Sequence, residues 1–509
     1  MTSENKFWVS EVAQEISRAY SKFTVATGIT PSGEIHIGNM REIVTADVAV
    51  RALKELGKDV AFFYIADTYD PLRRVYPFLS KEKYEEHVGR PLSEIPCPCD
   101  QHPSYAQHYL EPFLKSLKTL DIKVEVFQAD HLYKEGKYTR NIIKSLEATQ
   151  RIREILKEET GKETEPTWSP FNPICNACHR MTHTEVLGFD SKNEQIQYKC
   201  GCGDEGLASM AGGGKLTWRV DWPARWEILG VTIEPFGKDH ASKGGSYDTG
   251  VRFSREIFKY EPPFPIVYEW ISLRGAGDMS SSKGNVISIQ EMLDVVPPEV
   301  LKYAVLKVRP NRRIVFDPCL PLLSLMDEFD DPSSKGRNES AIHFSQITGS
   351  SPLGIPFRHM VSLVQTARGN AEEIKRILDG TGYKNLNEKA VFQRAQYAKK
   401  WLDRFGPEDL KFEVQEIVPK AVKTLTDLQR KALALLAFHL SQGMTPEVIH
   451  GLIYKVKDEL NISPQELFEA IYKALLGKEK GPRAGFFLAS LDPTFVKKRF
   501  EEASTPVGS

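Results

Sequence analysis

Apolar and polar positions follow two different periods along this chain, and the change of period divides it. FTVAT (23–27) is a short β-prone run followed by the turn GITPSG. From about Ile37, the residues Val44, Val48, Leu53 and Leu56 recur at helical spacing, and Gly57 supplies a stop. DVAFFYIAD (59–67) is then a continuous apolar run, the pattern of a strand buried on both faces. Residues 23 to 66 therefore predict one β-α-β unit, which closes as a right-handed parallel crossover and opens a nucleotide-binding type of α/β sheet. VEVFQAD (124–130), GVTIEPFGKDH (230–240), a helix near 246–260 and PIVYEW (265–270) repeat the alternation. Between the two halves, roughly Arg90 to Gly214, lies an insertion rich in Cys, Gly and turns.

After Phe329 the pattern changes. DDPSSKGRNES (330–340) and TGSSPLG (348–354) predict a linker over 331–354, separating a first domain (1–330) from a second (355–509). In the second, Phe392, Ala395 and Leu402, and again Leu425, Leu428 and Leu435, suit amphipathic helices. Thr445-Pro446-Glu447 and Ser463-Pro464-Gln465-Glu466 are helix starts, the latter with the Glu of a capping box. The second domain is expected to be all-α.

Composition narrows the function classes. Of 509 residues, 41% are hydrophobic and 27% charged, the balance of a globular protein with a sizeable core. Lys plus Arg (67) nearly cancels Asp plus Glu (68), so a nucleic-acid partner needs a local basic patch. Candidates on the helical domain are Lys399, Lys400, Arg404, Lys423, Arg430 and Lys431. The N-terminus, MTSENKFWVSEVAQE, has no apolar run of signal-peptide length, and no stretch approaches the ~20 residues of a membrane span, so a cytoplasmic protein with no membrane partner is expected. The seven cysteines then read as metal ligands or core residues rather than disulfides, with Cys319 in FDPCLP a core residue.

Two segments carry phosphate chemistry. Pro31-Ser32-Gly33-Glu34-Ile35-His36-Ile37-Gly38-Asn39 joins the first strand to the first helix, where glycines admit a ligand and unpaired helix N–H groups face phosphate oxygens. His36, just beyond the strand's carboxyl end, is a donor to charge building on an α-phosphate. Met279-Ser280-Ser281-Ser282-Lys283-Gly284-Asn285 is a Gly- and Ser-rich loop whose single Lys can close over a triphosphate. Taken alone, each also reads as a surface turn or linker.

Cys175-x-x-Cys178 and Cys200-x-Cys202 form two knuckles that suit tetrahedral Zn²⁺ with no open position, a structural site in a ribbon at about 170–206. Cys97, Cys99, His102 and His108 read either as a second metal site or as loop residues with no metal.

These residues resemble the HIGH and KMSKS motifs of class I aminoacyl-tRNA synthetases. GITPSGEIHIGNMRE, DTYDPLRRVYP, WRVDWPARW, FGKDH, GGSYDTG, MSSSKGNVI and GKEKGPRAGFFLASLD resemble the class I lysyl-tRNA synthetases in particular. Asn39 stands where the wider class has a second His; Asp278 and Ser281 stand where the loop motif has Lys, leaving Lys283 its only cation. The resemblance implies a Rossmann-like, HUP-type catalytic domain with a zinc-ribbon insertion, and a helical domain that reads an anticodon. It implies L-lysine, ATP with Mg²⁺, and tRNA(Lys) as partners.

The resemblance further implies an ATP site of Pro31, Ser32, Gly33, His36, Gly38, Asn39, Gly237, Asp239, Met279, Ser280, Ser282 and Lys283, with His36, Asn39 and Lys283 catalytic. Asp239 would accept from the ribose or, alternatively, cap the next helix. A lysine pocket needs a carboxylate at its far end and aromatic faces along the stem, roles that suit Asp67 and Tyr268. The resemblance adds Gly28, Thr30, His240 and Trp218, although Trp218 also reads as core, and Asp70 with Arg73 and Arg74 reads as a surface ion-pair cluster. An arginine enzyme, another enzyme that adenylates a small carboxylate, and a non-catalytic tRNA-binding relative remain the alternatives.

Overall fold

The computed structural model describes residues 7–275, 277–279, 286–331, 335–349 and 353–505, without the side chains of 278 and 335–337. The chain forms two compact units, one of Met1–Leu293, Leu301–Phe316 and Asn338–Ser350, the other of Asp294–Val300, Asp317–Arg337 and Ser351–Ser509.

The first unit opens with helix α1 (Trp8–Ala19), strand β1 (Phe23–Ile29), helix α2 (Ile37–Glu55) and strand β2 (Val60–Ala66). Helix α3 (Tyr105–Thr119) and strand β3 (Glu125–Gln128) follow, then the ribbon strands β4 (Thr184–Asp190), β5 (Gln195–Cys200) and β6 (Glu205–Ser209). Helix α4 (Trp218–Leu229) leads back to β7 (Ile233–Gly237) and β8 (Phe264–Tyr268). The main sheet is parallel, in the order β8-β7-β1-β2-β3. The chain runs from β1 outward to β3 and then returns to the other side of β1 as β7. The switch point, where α/β sheets open a crevice at their carboxyl ends, therefore lies between β1 and β7. The continuous apolar run of β2 is explained by its place inside this sheet, where Tyr64, Ile65 and Ala66 are fully buried.

The interval 90–214 is not one insertion, because β3 lies within it and forms the sheet edge beside β2. The separate element is the antiparallel ribbon β4-β5-β6. Its local core is Cys175, Tyr198, Cys200 and Ala208, and Ile196 of β5 with Val186 of β4 joins it to a larger cluster.

The second unit is helical. Thr445 and Ser463 cap their helices as expected, Ser463 in a capping box with Glu466. Several expectations change. The predicted linker contains a helix, Lys335–Ser345, whose Phe344 stacks on Phe7 at 6.0 Å; polar spacing hid the apolar residues that pin it. Phe392 and Leu428 face solvent, while Val391, Trp401 and Leu433 occupy the core positions. Arg430 is buried, donating to the carbonyls of Ala503, Thr505 and Val422, so it leaves the basic surface. Lys399, Lys400, Arg404, Lys423 and Lys431 are exposed. Cys319 is exposed as well, at the start of the helix Leu320–Asp330. Among the described residues, no helix is long and apolar enough to cross a membrane.

Candidate active site

A cavity of about 620 Å³ opens at the switch point. Gly28, Thr30, His36, Gly38, Asn39, Asp67, Trp218, Gly237, Asp239, His240, Tyr268 and Met279 line it, joined by Glu42, Asp70, Arg73 and Trp270. Pro31, Ser32 and Gly33 do not line it; they form the turn below, where Tyr105 of α3 donates its hydroxyl to the Ser32 carbonyl at 2.7 Å. Ser280, Ser282 and Lys283 lie outside the described residues.

His36 is the N-cap of α2. Its Nδ1 accepts the Gly38 N–H at 3.0 Å, and Asn39 Oδ1 accepts the His36 N–H at 3.2 Å, a reciprocal capping box. Glycine at 38 is required for this fold of the ring, since a Cβ there would meet His36 Nδ1 and Cε1 at 2.7 Å. Burial lowers the His36 pKa to about 4, so the ring is neutral at pH 7. With Nδ1 occupied as an acceptor, the proton resides on Nε2, and His36 is a neutral donor beside a helix N-terminus.

The chain reaches His36 from a second direction. Ile37 N–H donates to the Ile287 carbonyl at 3.1 Å, and His36 bridges Ser288 antiparallel. Met279 Cε lies 3.5 Å from a Cβ built on Gly38. The two flanks of the segment carrying Lys283, at Met279 and Ile287, thus both end beside the α2 N-terminus.

Asp239 follows β7 across the crevice. Gly237 leaves room for it, because a Cβ on Gly237 would sit 2.5 Å from Asp239 Oδ1. Beside it, Trp218 stacks on Trp222 at 5.5 Å and faces His240 at 5.9 Å, so Trp218 is a cavity wall rather than core.

The carboxylates divide by their partners. Asp67 does not offer the free carboxylate expected of it. It lies 2.5 Å from Arg225 Nη2 and 3.7 Å from Lys215 Nζ, and is only 2% exposed. Arg225 also holds Asp221 at 2.7 Å, and Lys215 holds Asp70, which accepts from Thr30 Oγ1 at 2.8 Å. Asp70 is therefore part of a buried charge network, not of a surface cluster. Such a network persists because each charge would be costly if left alone.

Glu42 differs. It accepts from three neutral donors: Thr27 Oγ1, Gly28 N–H at 3.0 Å and Tyr268 hydroxyl at 2.6 Å. No cation pairs with it among the described residues, and burial raises its pKa, with hydrogen bonds from Thr27, Tyr268 and Gly28 opposing the rise. Sequence reasoning missed Glu42, although its spacing from Gly38 and Asn39 puts it on the same face of α2.

Two clusters outside the cavity fit metal ions. A tetrahedral zinc with Zn–S bonds of about 2.3 Å sets its sulfurs roughly 3.8 Å apart. The Sγ atoms of Cys175 and Cys202 are 3.6 Å apart, those of Cys178 and Cys200 3.7 Å. In the other cluster, Cys97 and Cys99 Sγ lie 3.2–3.5 Å from the Nδ1 atoms of His102 and His108, close to the roughly 3.5 Å of a mixed S/N tetrahedron. His102 Nε2 is 3.5 Å from Glu111, the type of carboxylate that orients a ligating imidazole.

Comparison with known proteins identifies the family. The family model for class I (K) tRNA synthetases matches residues 6–346. The lysine–tRNA ligase of Methanosarcina barkeri is 50% identical over 524 residues, covering 98% of this chain and 97% of that protein. The lysine–tRNA ligase of Archaeoglobus fulgidus is 45% identical over 498 residues, covering 97% and 99%. A solved glutamate tRNA ligase from Elizabethkingia meningosepticum aligns with 95% of this chain and 99% of its own at 13% identity and a TM-score of 0.43. The chain belongs to the class I (K) family of tRNA synthetases.

Proposed function

We propose that the chain is a lysine–tRNA ligase that activates L-lysine with ATP and loads it onto tRNA(Lys), using the β1/β7 crevice. The supporting observation is the convergence at one cavity of a neutral imidazole donor on a helix N-terminus, an Asp across the crevice, and both flanks of the Lys283 loop.

His36 Nε2–H and the positive end of the α2 dipole face the triphosphate, with Asp239 accepting from the ribose. One carboxylate oxygen of lysine attacks the α-phosphorus in line; the bond to the β-phosphate oxygen breaks and pyrophosphate leaves. His36 donates to the α-phosphate oxygens without being charged beforehand, so its effect rises as charge builds on them. Lys283, four residues from each flank, supplies the ammonium for the β- and γ-phosphates. Mg²⁺, when bound, would supply further positive charge to the phosphates. A hydroxyl of the tRNA's 3′-terminal adenosine then attacks the carbonyl carbon, and AMP departs.

Glu42, with Tyr268 bonded to it, receives a substrate ammonium group, because among the described residues it is the cavity carboxylate enclosed by neutral donors while Asp239 stands open toward the ribose. Trp218 and His240 wall the aliphatic stem. Asp67 supports the floor through Arg225 rather than touching the substrate. Glycine at 28 keeps that floor open, since a Cβ there would meet Arg225 Nη1 at 3.1 Å. Zinc in the Cys175 cluster would cross-link the ribbon, and zinc in the Cys97 cluster would tie the 97–102 turn to His108 on α3, folding roles. The helical unit reads the anticodon.

Pyrophosphate exchange against all twenty amino acids, with and without tRNA, tests the assignment. Exchange with lysine alone, or with lysine once tRNA is present, supports it; exchange with arginine, or none, overturns it.

A further inference from the structure

Helix α4 carries three tryptophans four residues apart, Trp218, Trp222 and Trp226, a spacing that sets them along one face. Their rings form a series that starts at the crevice. Trp218 lines the cavity and stacks on Trp222 (5.5 Å, 13°), and Trp222 meets Trp226 at 5.1 Å. Trp222 and Trp226 are buried, and Trp222 also lies 5.4 Å from the ring of His240, which lines the cavity beside Trp218.

One carboxyl group holds both inner rings. Glu234 of β7 accepts the Trp222 indole N–H on Oε1 at 2.8 Å and the Trp226 indole N–H on Oε2 at 2.5 Å, and it is buried. Phe236, two residues along β7 and so on the same face of the strand, packs edge-on against Trp222 at 5.3 Å. Burial pushes the Glu234 carboxyl up to about 8, against the indole hydrogen bonds and the charge of Arg225. Charged or neutral, both of its oxygens can accept an N–H, which the oxygen and nitrogen of an amide cannot both do. The end of α4 nearest the cavity also lacks one backbone bond, because Pro223 has no N–H to give the Arg219 carbonyl.

We infer that Glu234 is a positioning residue for the crevice: through the Trp222 indole it sets where the Trp218 and His240 wall holds the aliphatic stem relative to Glu42, and with it the chain length that brings an ammonium group to that carboxylate. The inference rests on the lysine reading above and deepens it. Glu42 is fixed by its own hydrogen bonds to Thr27 and Gly28 of β1 and Tyr268 of β8. The wall is carried by a ring stack on a helix, and Glu234 is a polar link between that stack and the sheet.

Pyrophosphate exchange with L-lysine and with L-ornithine, one methylene shorter, tests the role, with tRNA(Lys) present in both arms. One methylene gives the wild-type chain a preference of about tenfold or more for lysine. Glu234→Gln turns an amide N–H toward one indole N–H. It is expected to raise KM for lysine, to keep KM for ATP, and to narrow the preference by about fivefold. With 15N at the tryptophan indoles, two of the seven signals should move, those that vanish in Trp222→Phe and Trp226→Phe. Adding Trp226→Phe to Glu234→Gln frees the Gln carbonyl for Trp222 and should restore the preference. A merely structural Glu234 would lower kcat/KM for both amino acids alike. That result, a wild-type preference in folded Glu234→Gln, or indole signals that stay in place would each overturn the inference. If thermal melting shows Glu234→Gln unfolded, Trp222→Phe and Trp226→Phe decide: narrowing in the first alone supports the role, and equal effects overturn it. A wild-type chain that activates no lysine overturns the lysine reading itself.

Discussion

The Tyr268 hydroxyl at the end of β8 donates to Glu42 Oε2 on helix α2 at 2.6 Å, linking two elements 226 residues apart in sequence. Burial and the adjacent Glu42 both raise the Tyr268 pKa, so the phenol stays protonated and remains a donor. Glu42→Gln keeps the shape and a hydrogen bond but removes the charge. The expected result is a rise of about 30-fold or more in KM for lysine in pyrophosphate exchange, equivalent to roughly 2 kcal/mol. Tyr268→Phe should cost less, about 1 kcal/mol. An unchanged KM in Glu42→Gln would remove the carboxylate from substrate recognition.

His36→Asn should lower kcat for exchange by about a hundredfold, the scale for loss of one donor to a developing oxyanion. Gly38→Ala should act in the same direction, because its Cβ would displace the ring from the helix N–H.

The lowered pKa of His36 makes two pH predictions. Above about pH 5.5 the ring is already neutral, so the rate profile should show no inflection near 6.5 that disappears in His36→Asn. For stability, the unfolded ring takes up its proton near 6.5 and the folded ring only near 4, so the unfolded state binds more protons between these values. Stability is therefore complete above about 6.5 and falls as pH drops toward 4, by about 3 kcal/mol from this group. Denaturant titrations at pH 7 and pH 4.5 should show a smaller difference in His36→Asn.

Arg225 neutralises Asp67 and Asp221 in a site where Arg225 itself is 2% exposed. Arg225→Leu should lower the stability of the first unit by about 3–5 kcal/mol, since it leaves buried carboxylates unpaired. Adding Asp221→Asn should restore part of the loss. Guanidinium denaturation followed by tryptophan fluorescence reads both, because Trp222 and Trp226 lie in the same helix α4.

Zinc analysis of the purified chain should find about two ions. Cys202→Ser should remove one and lower the melting temperature, and Cys97→Ser with His108→Ala should remove the other. The second loss should also disturb the turn at Ser32, because α3 carries both His108 and the Tyr105 that holds it. One ion in the wild-type chain, bound only by the four cysteines, would return the Cys97 cluster to a metal-free loop.

Much of this molecule was legible in its text because the signals were local. A β-α-β unit is written in the period of its apolar residues, and His36 and Gly38 follow the first strand directly. Two Cys knuckles carry their own spacing, and Thr445 and Ser463 cap helices that begin beside them. Local rules could not assign charges to partners. Asp67 read as a free carboxylate because Arg225, 158 residues on, meets it only once α4 packs beneath the sheet. Glu42 went unnoticed because its significance lies in having only neutral donors around it among the described residues, which only the folded arrangement reveals. Arg430 and Cys319 exchanged expected surface and core places for the same reason. Sequence determines which groups are present and how nearby residues bend the backbone; burial and pairing across the sheet decide which of those groups keep a charge to offer a substrate.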